Sequence, residues 1–445
     1  MLSDFIAIES VSTDTSRKAH MVGAAEFLAR ELRGLGFTVL LRQINDSAPF
    51  VIATLSQPGA SETIGIYGHY DVQPEDPVVE WESPPFSLTL AKGKWYGRGV
   101  ADDKGHIIQN LVALRELIAA KKLNRNIVCF FEGEEESGNK NLEAVLEGED
   151  KDIFKRVDAW FVVDMGLSGS IEPQIFNGLR GIVYFELRIE TGSRDTHSGV
   201  FGNRIYNPAQ LLSELVASMK DSPTGRVKIP HFYEDIIPLG TQEYRSLVEQ
   251  SDTEEDLLKR SGTYVLPTHW GPFHGLPANI PLALTSKLLP SLDIHGITSG
   301  YTDEGVKTVI PHRAMVKFSC RIVPGQRPER IASLIQEHIK QNLSPGVKYK
   351  LEIMESSEAF YTSIDDPWTL HTATKLEETF GKKTQFGRSG GSIPVARALQ
   401  NHFGKPIVLT GFTLPDCNLH APNENVDEKM FWKGIEALKR IYGDV

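Results

Sequence analysis

Histidines and carboxylates recur in this chain just where short apolar runs end. His69 and Asp71 follow Ile64 to Tyr67, and Glu132, Glu134, Glu135 and Glu136 follow Ile127 to Phe131. Asp164 follows Ala159 to Val163, and His420 comes soon after Ile407 to Thr410. Imidazole and carboxylate together suit zinc or manganese. Residues i and i+2 leaving a strand point the same way, so His69 and Asp71 can face one another. A carboxylate beside a metal-bound imidazole fixes its tautomer and raises its basicity. A further pair of acids, Asp102 and Asp103, sits in Gly97-Arg-Gly-Val-Ala-Asp-Asp-Lys-Gly105 at the start of a helical pattern.

Each motif also has a plainer reading. His69 and Asp71 suit a surface turn. Asp102 and Asp103 suit a helix start, where acids cap and complement the dipole. Glu132 to Glu136 suit a solvated acidic loop, although acids crowded at the end of a buried strand repel each other unless something positive neutralises them. The glycines at 97 and 99 do not make a phosphate loop, because GxGxxG fails at Asp102 and no GxxxxGK[ST] occurs. No GxSxG elbow marks a serine hydrolase. The set carries more than its parts, since four separate strands each deliver His, Asp or Glu just past their carboxyl ends. Ligands of α/β sheets gather at that edge.

The elements that must position these residues are legible in the spacing. The four runs are four or five residues long and apolar on both faces, which predicts buried strands of a largely parallel sheet. Lys104 to Ala120 carries Ile107, Leu111, Leu114 and Ile118 on one helical face, and Met21 to Leu32 is a second helix, closed by Gly34 and Gly36. The middle changes period. Ile182 to Glu190, Val316 to Ile322 and Val347 to Ile353 alternate polar and apolar residues, the habit of antiparallel strands with one wet face. Helical patterns after Asn207-Pro208 and Arg327-Pro328 would cover the dry face. The expected fold is therefore α/β, with a catalytic domain over 1–178 and 362–445. An α+β domain with an antiparallel sheet is inserted over 179–361, and a final helix spans Asp427 to Tyr442.

A chain of 445 residues suits two domains. Its formal charge of −11 argues against a non-specific nucleic-acid binder. Cys129, Cys320 and Cys417 form no CxxC pair and no disulfide framework. No run approaches the ~18 apolar residues of a membrane span, and Met1 to Ser10 has neither a basic region nor a long apolar stretch. The expectation is a cytoplasmic globular protein.

The motifs together resemble those of the two-zinc exopeptidases and deacylases that include carnosine dipeptidases, bacterial glutamate carboxypeptidases, aminoacylases and succinyl-diaminopimelate desuccinylase. The resemblance covers nearly the whole chain and is strongest to the cytosolic non-specific dipeptidase and carnosinase branch. It rests on Gly68-His-Tyr-Asp-Val-Gln-Pro74, Gly97 to Gly105, Phe131-Glu-Gly-Glu-Glu-Glu-Ser-Gly138, Asp195-Thr-His-Ser-Gly-Val-Phe-Gly202, Thr308-Val-Ile-Pro311, Ser319-Cys-Arg-Ile-Val-Pro324 and Gly390-Gly-Ser-Ile-Pro394. It implies a zinc-exopeptidase-like catalytic domain and a lid that also dimerises. Two divalent ions, zinc or manganese, would be held by His69 and Asp164 on one side and Glu136 and His420 on the other. Asp102 would bridge them, with a cis bond to Asp103, and Asp71 would orient His69.

The same resemblance makes Glu135 the general base toward a water shared by the ions, and leaves Glu134 without a role. Two ions carry four positive charges and three carboxylates remove three, so the surplus would favour the oxyanion. His197 would reach into a partner subunit's site to steady that oxyanion. Arg321 would bind a substrate's terminal carboxylate, for which a guanidinium fork is suited, and Ser392 would contact the same end. One departure is Arg388-Ser389 before the two glycines, where this branch commonly has an acid, and it bears on substrate preference. The implied activity is hydrolysis of dipeptides or small peptides with a free C-terminal carboxylate, in a homodimer. Deacylation of N-acyl amino acids by the same site is the alternative. A non-catalytic binding protein would have lost Glu135 or a ligand, and none is missing.

Overall fold

The structure, a computed structural model, describes residues 1–167, 171–249, 251, 253–267, 280–390 and 393–443. The chain divides into two compact units. One comprises Met1–Asn177, Thr362–Gly387 and Ile393–Val445, and the other Gly178–Tyr361 and Arg388–Ser392.

In the first unit the strands run in the order Thr38–Arg42, Phe50–Leu55, Asn126–Glu132, Thr63–His69, Ala159–Val163, Ile407–Thr410 and Gln174–Leu179. The four strands expected to deliver ligands are neighbours and mutually parallel. Antiparallel pairs flank them on either side. They read as unbroken apolar runs because both faces of the sheet are covered. Ile64, Ile66, Ile127, Cys129, Phe131, Phe161 and Val163 face a core shared with the helices Lys18–Gly34, Lys104–Ala120 and Glu428–Tyr442. Helix Lys104–Ala120 is buried on nearly every side from Lys104 to Leu114, so only its second half keeps the one-sided pattern seen in the sequence. Asp427 caps the final helix by accepting from the Met430 amide.

In the second unit, four antiparallel strands lie in the order Ser291–Ser299, Arg313–Ile322, Gly181–Glu190 and Lys348–Ser357. Val183, Phe185, Leu187, Val316, Phe318 and Cys320 pack against Leu212, Leu215 and Met219 of helix Pro208–Met219 and Ile331, Leu334 and Ile335 of helix Pro328–Asn342. The edge strand Ser291–Ser299 escaped sequence reading for a physical reason. Most of its residues are exposed, so it carries no alternating apolar stripe.

Candidate metal centre

His69 ends its strand in register with Glu132 of the neighbouring strand, and Asp164 is the first residue beyond Val163. Parallel strands end together, so these side chains emerge at one edge of the sheet. Asp102 and Asp103 arrive there from the loop before helix Lys104–Ala120, and the bond between them is cis. His420 arrives on a loop with left-handed backbone, φ 60°. The Asp102 carboxylate meets both histidines, with Oδ1 2.9 Å from His69 Nε2 and Oδ2 3.0 Å from His420 Nε2. Asp164 Oδ2 lies 3.8 Å from His69 Nε2, and Glu136 Oε1 3.4 Å from His420 Nε2. All five expected ligands thus converge, with Asp102 between two half-sites.

Ligand atoms of Asp102, Glu136 and His420 lie within 4.8 Å of one another, as do those of His69, Asp103 and Asp164. Asp103 is nonetheless committed elsewhere. Its Oδ1 lies 2.9 Å from His106 Nδ1, and its Oδ2 accepts from the His69 amide. The donor set suits divalent ions, and one observation asks for them: Glu136 Oε1 is buried without a hydrogen-bond partner.

His69 Nδ1 faces the Asp71 backbone carbonyl at 3.1 Å and the Asp71 carboxylate at 3.4 Å. Either contact puts the ring proton on Nδ1 and leaves the Nε2 lone pair toward the cluster. The Asp71 carboxylate also accepts from the amides of Glu135 and Glu136, which ties the acidic turn to the His69 loop. Glu134 is held by Asn141 Nδ2 at 3.2 and 3.0 Å.

The charges are frustrated without cations. Burial pushes Asp164 up to about 7, with Asp103 adding to the effect and His69 opposing it. Burial also raises Glu135 well above the carboxylate range; His69 opposes, and Asp164, Glu136 and Asp71 reinforce. Asp102 goes the other way. Burial alone would raise it, but the hydrogen bonds to His420 and His69 hold it low. Contacts with Asp102 and Glu136 lift His420 to about 10.

In the second unit, His197 is exposed and its Nδ1 accepts from the Gly199 amide at 3.0 Å, so the neutral ring carries its proton on Nε2. Arg321 stands one residue from the end of the interior strand Arg313–Ile322, opposite Ser291 and Ile182, and makes no hydrogen bond or ion pair among the described residues. Arg388, the departure before the glycines, is buried with its Nε 2.6 Å from Glu243. Ser392 lies outside the described residues.

The sequence profile of Peptidase family M20/M25/M40 matches residues 65–444, a span that includes every member of both clusters. The chain belongs to this peptidase family. It is 32% identical to the Cys-Gly metallodipeptidase of Schizosaccharomyces pombe, over 98% of this chain and 92% of that one. With the human Beta-Ala-His dipeptidase it shares 30% identity over 88% of this chain and 76% of that one. The crystal structure of an M20 family metallo-carboxypeptidase from Sulfolobus solfataricus is similar at a TM-score of 0.83 and 28% identity, covering 99% of this chain and 97% of that one.

This M20 peptidase is thus a metal-dependent hydrolase. Sequence reading passed over several residues that support its site. Gln73 donates to Glu136 Oε2 at 2.7 Å. His106 donates from Nδ1 to Asp103 and accepts the Phe412 amide at Nε2, and burial lowers it to about 4. Glu424 and Arg98 form a buried pair beside Asp102. His106 and Arg98 lie inside or next to quoted motifs, but nothing in their spacing distinguishes them from surface residues.

Proposed function

We propose that this peptidase hydrolyses dipeptides with a free C-terminal carboxylate, using two divalent ions, zinc or manganese. His69 and Asp164 would hold one ion, Glu136 and His420 the other, and Asp102 both. The observation that carries the reading is the Asp102 carboxylate set between two imidazoles at 2.9 and 3.0 Å. Bound ions at such a centre supply an activated water and polarise the scissile carbonyl.

The chain's own residues do the rest. Glu135 takes the proton of the attacking water and returns it to the leaving amine. A raised pKa suits that second step, because a carboxyl of ordinary acidity holds no proton to give at neutral pH. Asp71 holds Glu135 in place through its amide and keeps His69 in the ligating tautomer. The Nε2–H of His197 is a donor for the oxyanion, and the guanidinium of Arg321 is a fork for the terminal carboxylate. Ser392 is proposed to contact the same carboxylate.

The dipeptidase names of relatives that span nearly the whole chain support this substrate class, and deacylation of N-acyl amino acids is not favoured. We further propose a homodimer built on the inserted unit. Val200, Phe201, Ile205 and Tyr206, just after His197, are exposed, and so are Ile294 and Ile297 on the open edge strand. The three cysteines are free and buried, which suits a reducing cytoplasm. Among the described residues no helix is long and apolar enough to cross a membrane.

The test is hydrolysis of Xaa-Gly dipeptides and N-acetyl amino acids by metal-stripped protein, before and after adding zinc or manganese. Dipeptide cleavage should return with metal and fall about 10²–10⁴-fold in Glu135→Gln. Cleavage of acyl amino acids alone would move the activity to deacylation.

A further inference from the structure

Three loops bring His69, Asp102 and His420 together, and one buried ion pair touches all three. Glu424 and Arg98 are both 1% exposed, with Arg98 Nη1 2.7 Å from Glu424 Oε2. Each stands four residues from a ligand, Arg98 before Asp102 and Glu424 after His420. The Glu424 carboxylate accepts the amides of Gly99 at 3.0 Å, Ala101 at 2.8 Å and Asp102 at 3.1 Å. Converging backbone N–H groups of this kind make an anion nest, here filled from within the chain. Gly99 makes the nest possible, since its φ is +86° and a Cβ there would lie 2.7 Å from Val72 Cγ1. Arg98 meanwhile donates from Nη2 to the Pro74 carbonyl at 3.0 Å, at the end of the loop that carries His69 and Asp71. Its guanidinium also lies over the Trp81 ring.

We infer that the Arg98–Glu424 pair is the positioning device of the metal centre: it sets the spacing of Asp102 from His420 and of both from the His69 loop. Glu424 meets Asp102 at its backbone amide. The pair acts through Asp102, whose backbone it holds by the amide, and through the two loops it joins. This inference rests on the ligand assignment proposed above.

The test uses the full chain, stripped of metal, as wild type and as Glu424→Gln, Glu424→Asp and Arg98→Lys. Cobalt and zinc uptake is measured by competition with a chelator. The visible spectrum of the cobalt form reports ligand geometry, and unfolding of the metal-free proteins reports stability. The wild type should take up two equivalents. Glu424→Gln should bind them about 10–100-fold more weakly, with an altered cobalt spectrum and a lower kcat at little-changed KM. Glu424→Asp, which keeps the charge, should recover part of the affinity. If Glu424→Gln lowers the melting temperature of the metal-free protein yet binds two ions with wild-type affinity and spectrum, the pair is only structural and the inference is overturned. Should Glu424→Gln fail to fold, Arg98→Lys and Glu424→Asp decide by the same two readings. A wild type that takes up fewer than two equivalents overturns the ligand assignment itself, an outcome distinct from wild-type binding by the variants.

Discussion

Asp71 shows how one residue serves two purposes at this centre. It was expected to orient His69, and the shorter contact to Nδ1 comes from its backbone carbonyl, while its carboxylate is spent mainly on the amides of Glu135 and Glu136. The imidazole tautomer and the position of the base are therefore set by one residue. Protonation gives a prediction at this scale. In the ion-free protein His420 is raised to about 10 and Asp164 to about 7. A group whose folded pKa is raised contributes stability that is full below its unfolded value and lost as pH rises through the folded one. That window runs from about 4 to 7 for Asp164 and from about 6.5 to 10 for His420. Ions compete with those protons. The rise in melting temperature on adding zinc or manganese to stripped protein should therefore grow between about pH 5.5 and pH 8.5, as read by calorimetry. A rise that stays flat over that range would contradict the ligand assignment.

The elements matter because their ends must meet. The four parallel strands stop at the same edge, and helix Lys104–Ala120 starts there, so its first turn decides where Asp102 points. Gly105 lies in that turn, and a Cβ added to it would fall 1.9 Å from the Val100 carbonyl oxygen. Backbone cannot yield as a flexible side chain can. Gly105→Ala should cost about 1–3 kcal/mol of stability through overpacking. It should also weaken metal binding, because the displaced segment carries Asp102. Urea unfolding with and without metal would measure both, and wild-type values in each would remove the argument. Lys104, one residue earlier, shows how tightly this start is held, since its buried ammonium donates to the carbonyls of Phe5 and Ile8. Much of the element scale was legible in sequence, because buried strands and a covered helix face leave apolar runs and 3.6-residue spacing. Edge strands such as Ser291–Ser299 leave neither.

At the scale of the whole molecule, the proposed dimer makes a prediction of its own. If His197 completes the site of a partner subunit, Glu135→Gln and His197→Ala proteins, each weak alone, should complement each other after subunit exchange. Half the dimers would be mixed and each would hold one intact site, so activity should recover toward about one quarter of wild type. No recovery, with exchange demonstrated by a tagged subunit, would place His197 in its own subunit's chemistry or outside it. The second unit already supplies what such a role needs. The strand pair Thr196–His197 and Val309–Ile310 anchors the loop, and the Asp195–His312 contact at 2.6 Å secures its start.

The chain's amino acids by themselves pointed to metal-dependent chemistry and to the residues expected to carry it. His69, Glu132 to Glu136, Asp164 and His420 stand just past apolar runs and Asp102 at a helix start, and the family resemblance picked His69, Asp102, Glu136, Asp164 and His420 from among them as the expected ligands. Periodicity likewise separated a both-faces-buried sheet from a one-face-wet one. The family resemblance already named Asp102 as the residue between the two sites, and the tertiary structure gives the physical reason. Asp102 and Asp103 are adjacent and chemically identical, and their roles diverge because Asp103 is taken up by His106 and the His69 amide. Only the fold brought Arg98 to Glu424 across more than three hundred residues of chain. A partner so distant leaves no trace in local spacing, since the pairing comes from the packing of loops and not from any period of the backbone.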